Sequence, residues 1–338
     1  GEIQLSETQT TNDLAMITFS SGTSGRSKLI KRSHAVLKAQ FDALSLKISV
    51  IENSLMLTNF PVVVLLNLGL GIGTFLSKSI KSSNIVKTDF AKLYQKVKNN
   101  NITHLSCSPY ILSQLCNEIS DGSFPKLKMH QVLSGGAPIF PKAVELLLKA
   151  FDAQHYTVIY GSSEAEPIAH CAAETVVENR GSKGLFVGCL DDAIECKIIE
   201  DVIGIGVKEL PLGEIGEIAI SGNHVAYLDK SIVVEGKRYH RTGDVGYVLE
   251  GRKLFLTGKP LRNGLLPLEV EKALQSIDGV VRGVVKEGVA FIELEELSDQ
   301  NTISSKIMKL YTFIADVQFQ DLPKDKRHNG KVLYKDLK

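Results

Sequence analysis

The chain has 338 residues, enough for two or three domains or for one large and one small. Apolar residues make up 43% and charged residues 23%, and a net charge of +1 excludes a global pull toward nucleic acid or acidic membranes. Five cysteines form no C-x-x-C pair and eight histidines are scattered, so reduced, packed thiols in a cytoplasmic compartment are expected rather than a disulfide framework or a metal cluster.

Residues 1–13 are polar and lack the basic-then-apolar pattern of a secretory leader. An apolar run at 14–19 reads as a strand. It leads into Ser21-Gly22-Thr23-Ser24-Gly25-Arg26-Ser27-Lys28, with a helix expected from about Ser33. Residues 53–77 carry no charge, long enough to cross a bilayer on length alone. Pro61, Asn59, Asn67 and the glycines 69, 71 and 73 argue instead for a buried strand over 55–60 followed by a closely packed helix. Strands at 102–106 and 131–133 lead to helices from Pro109 and Pro141. Val144, Leu147, Leu148 and Phe151 follow a helical stripe in the second. Such alternation implies an α/β fold, a mostly parallel sheet flanked by helices. After Tyr160 the texture changes to short strands joined by glycine turns (194–199, 216–220, 244–249, 254–257), suggesting a small sheet or partial barrel. Gly258-Lys259-Pro260 reads as a hinge. Beyond it a small α+β unit is expected, with helices at 268–277 and 303–313 and strands near 280–285, 289–293 and 317–320. The expected division is a core over 1–257 and a small unit over 258–338.

Four segments carry chemistry. In the Ser21–Lys28 loop, glycines let backbone N–H groups converge, hydroxyls add donors and Lys28 adds a point charge, the makings of a polyphosphate cradle. Its spacing is not G-x-x-x-x-G-K-[ST], which disfavours a P-loop ATPase, and an ordinary surface connection remains open. Tyr160-Gly161-Ser162-Ser163-Glu164 follows a strand at 156–159 and offers a hydroxyl for phosphate and a hard carboxylate oxygen for Mg²⁺, or else a plain polar turn. Ser134-Gly135-Gly136-Ala137-Pro138 could let a flat base lie on backbone, or be a tight turn. Tyr239-His240-Arg241-Thr242-Gly243-Asp244 places a carboxylate where it could accept from two ribose hydroxyls. The basic tail 322–331 reads alone as a solvated segment.

In this order, Ser-Gly-Thr-Ser-Gly…Lys, Tyr-Gly-Ser-Ser-Glu, Tyr-His-Arg-Thr-Gly-Asp and Pro-Lys…Gly-Lys, the chain resembles the adenylate-forming superfamily of acyl-CoA synthetases, peptide-synthetase adenylation domains and luciferases. The resemblance runs from about Leu14 to Lys338. It implies a mobile loop of Ser21, Gly22, Thr23, Ser24, Gly25 and Lys28 over the outer phosphates of ATP. It implies Gly135, Gly136 and Ala137 near adenine, with Tyr160 stacking on it and Gly161 in the same turn. Ser163 would meet phosphate, Glu164 the Mg²⁺ and Asp244 the ribose, and Lys331 would be the catalytic lysine of a rotating C-terminal lid.

Departures from the pattern are Ser27 and Leu29 in the loop, Lys259 where a hinge arginine usually contacts ribose, and only 20 residues ahead of Ser21, where the family carries a further subdomain. The implied activity is adenylation of a carboxylic acid, apolar or fatty acyl because Phe60-Pro61-Val62-Val63-Val64-Leu65-Leu66-Asn67-Leu68-Gly69 resembles the acid-pocket region of fatty-acyl-activating members, followed by transfer to CoA or a carrier thiol. The alternatives are a β-lactone-forming synthetase acting on a β-hydroxy acid, and a non-catalytic nucleotide- or acyl-binding protein or split-enzyme fragment.

Overall fold

The structure, a computed structural model, describes residues 10–21, 27–80, 85–120, 122–202, 206–227, 231–261, 264–325 and 329–337. It begins with a hairpin in which β1 (Leu14–Ser21) pairs antiparallel with β2 (Ser27–Ser33). Instead of leading straight into a helix, the chain after the loop forms β2. Ile30 and Arg32 turn inward and are almost fully buried, whereas Leu29 and Lys31 face out. The alternation is genuine, but one of its inward residues is an arginine, so the pattern does not show in hydrophobicity. Ser33 then caps α1 (His34–Ser45), its hydroxyl accepting from the Val36 N–H at 3.3 Å.

The uncharged stretch folds as β3 (Leu55–Thr58) and α2 (Pro61–Leu70), with proline opening the helix and Gly71 closing it at φ 70°. A Cβ on Gly69 would come within 2.5 Å of the Phe41 ring, so this glycine lets α2 close on α1. Among the described residues no helix is long and apolar enough to cross a membrane. There follow β4 (Gly73–Phe75), α3 (Phe90–Asn99), β5 (His104–Cys107), α4 (Pro109–Ser120), β6 (Leu127–Gly135), α5 (Pro141–Ala150) and β7 (Phe151–Ser162). The strands pair in parallel in the order β4-β3-β5-β6-β7. All four residues of β5 are buried, as a strand covered on both faces requires. Phe151, expected to extend the α5 stripe, instead starts β7, where it remains buried.

After β7 the sheet changes direction without ending. β8 (Ala165–Ala172) returns antiparallel, and α6 (Ala173–Glu178) leads to β9 (Leu185–Leu190). β10 (Glu195–Val202), β11 (Gly206–Glu209), β12 (Gly216–Ser221), β13 (Ile232–Val234), β14 (Lys237–Leu249) and β15 (Lys253–Leu256) complete it. Hydrogen bonding runs through β11-β10-β12-β14-β15-β9-β8-β7-β6-β5-β3-β4, with β13 attached to β14. The short strands expected after Tyr160 are thus the antiparallel half of the sheet begun by the parallel strands. β8 escapes sequence reading because Pro167 argues against a central strand.

The last stretch comprises α7 (Pro267–Gln275), β16 (Val280–Lys286), β17 (Val289–Leu294), α8 (Gln300–Leu310) and β18 (Asp316–Phe319). They form a separate three-stranded sheet around its own core of Val270, Leu274, Val280, Ile292 and Ile307. Lys142 of α5 reaches it, donating to the Val280 carbonyl at 3.0 Å and pairing with Glu295 at 3.1 Å. Lys272 of α7 reaches the other way, donating to the Gly184 carbonyl at 2.6 Å.

Candidate active site

The C-terminal ends of β6 and β7 lie side by side, Gly135 opposite Ile159. A Cβ on Gly135 would sit 2.8 Å from the Ile159 carbonyl oxygen, so only glycine lets the strands approach this closely here. Gly136 follows at φ 79°, beside the Phe60 ring. The next residue along β7, Tyr160, donates its hydroxyl to the Asp244 carboxylate at 2.7 Å. Asp244, on the exposed stretch of β14, is held by its own backbone: its N–H donates to the Thr242 hydroxyl at 3.1 Å, which in turn donates to the Ile218 carbonyl. Burial first, and then the Asp244 charge, raise the Tyr160 phenol well above its ordinary range, so its proton stays in place for Asp244. Residues 84 positions apart thereby form one corner.

The turn between β7 and β8 carries Ser162, Ser163 and Glu164. The Ser162 hydroxyl accepts from the Glu164 N–H at 3.3 Å, and the Glu164 carbonyl accepts from Ala226 at 2.7 Å. The backbone of Glu164 is therefore fixed from both sides while its carboxylate keeps partial access to solvent. Arg32, which sequence reading passed over, reaches across from β2. Its guanidinium donates to the Ser163 carbonyl and, at 2.7 Å, to the Thr18 hydroxyl, tying the hairpin to this turn. Glu166, two residues beyond Glu164, was missed as well. Burial pushes its carboxyl up to about 7 against the opposing pull of Arg32. A charged residue inside the apolar run Ala165-Glu166-Pro167-Ile168-Ala169 was the available signal.

Glu166 lines a narrow cleft whose apolar walls come from Leu44 of α1, Phe60, Val63 and Leu66 at α2, Leu133 of β6 and Ile159 of β7. Of the segment 60–69 expected at the acid pocket, Phe60, Val63 and Leu66 line this cleft, beside Gly135.

The other expected residues are distributed as follows. Ser21 and Lys28 belong by backbone to β1 and β2, Lys28 opposite Ser20, while Gly22, Thr23, Ser24 and Gly25 lie outside the described residues. Gly161 sits in β7 before the turn, and Ala137 follows Gly136 with partial exposure. Lys259 is exposed after Gly258. Lys331 is exposed too, its N–H donating to Asp325 at 2.7 Å and the preceding Gly330 carbonyl accepting from Arg282 at 2.5 Å. The structure thus joins Gly135, Tyr160, the Glu164 turn and Asp244. Among the described residues, no hydrogen bond or ion pair connects the Lys331 amine to them. Four of the five cysteines are inert on the same reading: burial raises the thiols of Cys107, Cys116 and Cys196 to about 12 and that of Cys171 to about 11.

Gly135, the Tyr160–Asp244 pair and the Glu164 turn thus lie together where the sheet changes from parallel to antiparallel. Residues 3–227 match the model of the AMP-binding enzyme family, and the chain belongs to that family. It is 28% identical over 285 residues to an olefin beta-lactone synthetase of Xanthomonas campestris pv. campestris, covering 77% of this chain and 50% of that one. It is also 28% identical over 374 residues to 4-coumarate--CoA ligase-like 6 of Arabidopsis thaliana, covering 97% and 62%. The chain therefore spans only about half to three-fifths of these relatives. Among solved structures, o-succinylbenzoate coenzyme A synthetase (MenE) from Bacillus subtilis, in complex with ATP and magnesium ion, superposes with a TM-score of 0.74 at 19% identity, covering 97% of this chain and 70% of that one. ATP-bound MatB from Rhodopseudomonas palustris gives 0.73 at 20% identity, covering 97% and 68%. These likenesses show the fold.

Proposed function

We propose that this protein activates a carboxylic acid with ATP, forming an acyl-adenylate and releasing pyrophosphate. The observation that carries the reading is the Tyr160–Asp244 corner beside Gly135 and the Glu164 turn, in a chain of the AMP-binding enzyme family. Two anions, carboxylate and triphosphate, must meet, so the protein's work is alignment and charge neutralisation. Asp244 accepts from ribose hydroxyls, Tyr160 and the glycines bracket the base, and Ser163 with the 21–28 loop donates to phosphate. Mg²⁺ is commonly held by one or two carboxylates and substrate phosphates; the partly accessible Glu164 carboxylate would hold it, and it would neutralise phosphate charge. Lys331, carried by a lid over 258–338 hinged at Gly258-Lys259, would bridge the attacking carboxylate and the α-phosphate once the lid turns inward, with Lys259 near the ribose.

The apolar walls of the cleft support an apolar or fatty acyl substrate. Transfer to CoA or a carrier thiol would follow, as the names of several relatives suggest. The similarity to olefin beta-lactone synthetases favours a second reading, intramolecular closure of a β-hydroxy acid. The free thiols support a cytoplasmic setting. The test is mass spectrometry after incubation with ATP, Mg²⁺ and mixed fatty, β-hydroxy and aryl acids. An acyl-adenylate is expected; ATP binding with no acid-dependent pyrophosphate release would instead indicate a nucleotide-binding protein.

A further inference from the structure

The basic segment 322–331, which sequence alone reads as a solvated tail, is built around one carboxylate. On either side of it Leu322 and Leu337 pack with Val284 and Phe291, and Lys324 pairs with Glu293 of β17 at 2.8 Å. Lys324 also forms an antiparallel bridge with Val332, and the Leu333 N–H donates to the Pro323 carbonyl at 2.8 Å. Beyond that bridge Asp325 makes four hydrogen bonds to residues 329–331. Its N–H donates to the Lys331 carbonyl at 3.0 Å, and its own carbonyl accepts from the Asn329 N–H at 2.9 Å. Its carboxylate accepts from the Gly330 N–H at 3.0 Å and from the Lys331 N–H at 2.7 Å. The Gly330 carbonyl accepts from Arg282 of β16, whose guanidinium is paired with Glu271 at 3.0 Å and lies 5.7 Å from the centre of the Phe140 ring. Every backbone polar group of Gly330 and Lys331 is thus engaged, while the Lys331 side chain is exposed.

The peptide joining Gly330 to Lys331 is planar, with its C=O and N–H pointing to opposite sides. Its oxygen meets a guanidinium and its hydrogen a carboxylate, so both edges are held by charge-assisted bonds, the stronger kind. Turning this plane, from which the Cα of Lys331 hangs, would cost both. A lysine ammonium rides on a flexible four-carbon stem, so where it points depends on how firmly its backbone is set. A group misplaced by about 1 Å can cost ~10²-fold in rate. We propose that Arg282 and Asp325 are positioning residues for Lys331: their opposite charges clamp the 330–331 peptide and fix the place from which the ammonium is presented. This rests on the acid-activating reading above and adds what holds its lysine. Asp325 sets the peptide locally, whereas Arg282 fastens it to α7 through Glu271, so that lysine and lid turn as one body. Neither residue belongs to the nucleotide corner, and the loss on removing either falls on turnover rather than on ATP binding.

The test places Asp325→Ala, Asp325→Asn and Arg282→Lys in two backgrounds, wild type and Lys331→Ala. Arg282→Lys keeps a cation beside Glu271, which avoids the unfolding that complete removal invites. ATP–pyrophosphate exchange is measured with the most active acid of the panel above. In the wild-type background Asp325→Ala is expected to lower kcat ~10-fold, and the two milder changes about 3-fold, with KM for ATP kept within about 2-fold. In the Lys331→Ala background the same changes should alter the residual rate less than about 2-fold, because the group they act through is gone. An equal loss in both backgrounds, or none in either, overturns the positioning role and leaves acid activation standing. Pyrophosphate exchange undiminished by Lys331→Ala alone overturns it together with the role of the lysine. Native-state amide hydrogen exchange supplies a readout that needs no turnover. Asp325→Ala should speed the Gly330 and Lys331 amides at least ~10-fold while β16–β18 keep their protection. Unchanged protection of those two amides overturns the clamp. If no acid supports pyrophosphate exchange but the two amides are released, acid activation falls and the clamp on Lys331 stands.

Discussion

Two glutamates, Glu271 beside the C-terminal sheet and Glu166 at the change of direction of the main sheet, the first almost fully and the second partly buried, are treated in opposite ways. Around Glu271 the chain supplies Arg282 and the Tyr334 hydroxyl, and Arg282 passes the connection on to the Gly330 carbonyl next to Lys331. Around Glu166 it supplies apolar walls and a guanidinium engaged elsewhere. Both are costly places for a carboxylate, and only one of them is completed within the protein. The contrast separates a carboxylate fixed by direct partners from one set among apolar walls under the longer-range pull of Arg32.

The largest expected effect comes from breaking the completed side. Arg282→Ala leaves Glu271 buried with its charge uncompensated, a loss of about 3–5 kcal/mol for a buried pair. Thermal unfolding followed by limited proteolysis should show the C-terminal sheet failing first; a melting curve matching wild type would mean that this pair holds nothing. Next, Lys331→Ala should slow adenylation at least ~10²-fold, the scale of one lost transition-state donor, while thermal stability is unchanged. Undiminished ATP–pyrophosphate exchange would remove Lys331 from the chemistry.

The incomplete side is sharpened by pH. Folded Glu166 keeps its proton up to about 7, against an ordinary 4.5, so between these values the folded state holds a proton that the unfolded chain has released. Its contribution to unfolding free energy must then fall as pH rises through that window, by roughly 1–3 kcal/mol in the ligand-free protein. Glu166→Gln has no proton to lose and should flatten the decline in melting temperature between pH 5 and pH 8. An identical slope in the variant would show that Glu166 is ionised throughout. Smallest is Lys142→Ala at the contact between the two sheets. Its pair with Glu295 is half exposed and screened, so the loss should stay below about 1 kcal/mol, read as a slight shift in chemical denaturation.

Much of what the structure brings together at this corner was legible before any coordinates, because the motifs are local. The glycine, hydroxyl and carboxylate motifs expected after strands at 131–133 and 156–159 do fall at or near strand ends, and helix starts at Pro61, Pro109 and Pro141 are written in single residues. Arg32 and Glu166 were not legible. Each is a charge at an inward strand position, where hydrophobic periodicity has nothing to register. Nor could composition tell that the antiparallel strands after Tyr160 continue the parallel sheet, since edge-to-edge pairing leaves no local mark.

The order of residues by itself determined which chemical groups exist, most of the helices and strands, and the motifs that carry the family resemblance, because propensity, capping and periodicity act over a few neighbours. Only the folded chain decided that Tyr160 meets Asp244, that Arg32 secures the Glu164 turn, and that the Ser134 hydroxyl stands without a partner. Whether a buried polar group is satisfied depends on side chains tens of residues away, and such partnerships appear only when packing brings them within hydrogen-bonding distance.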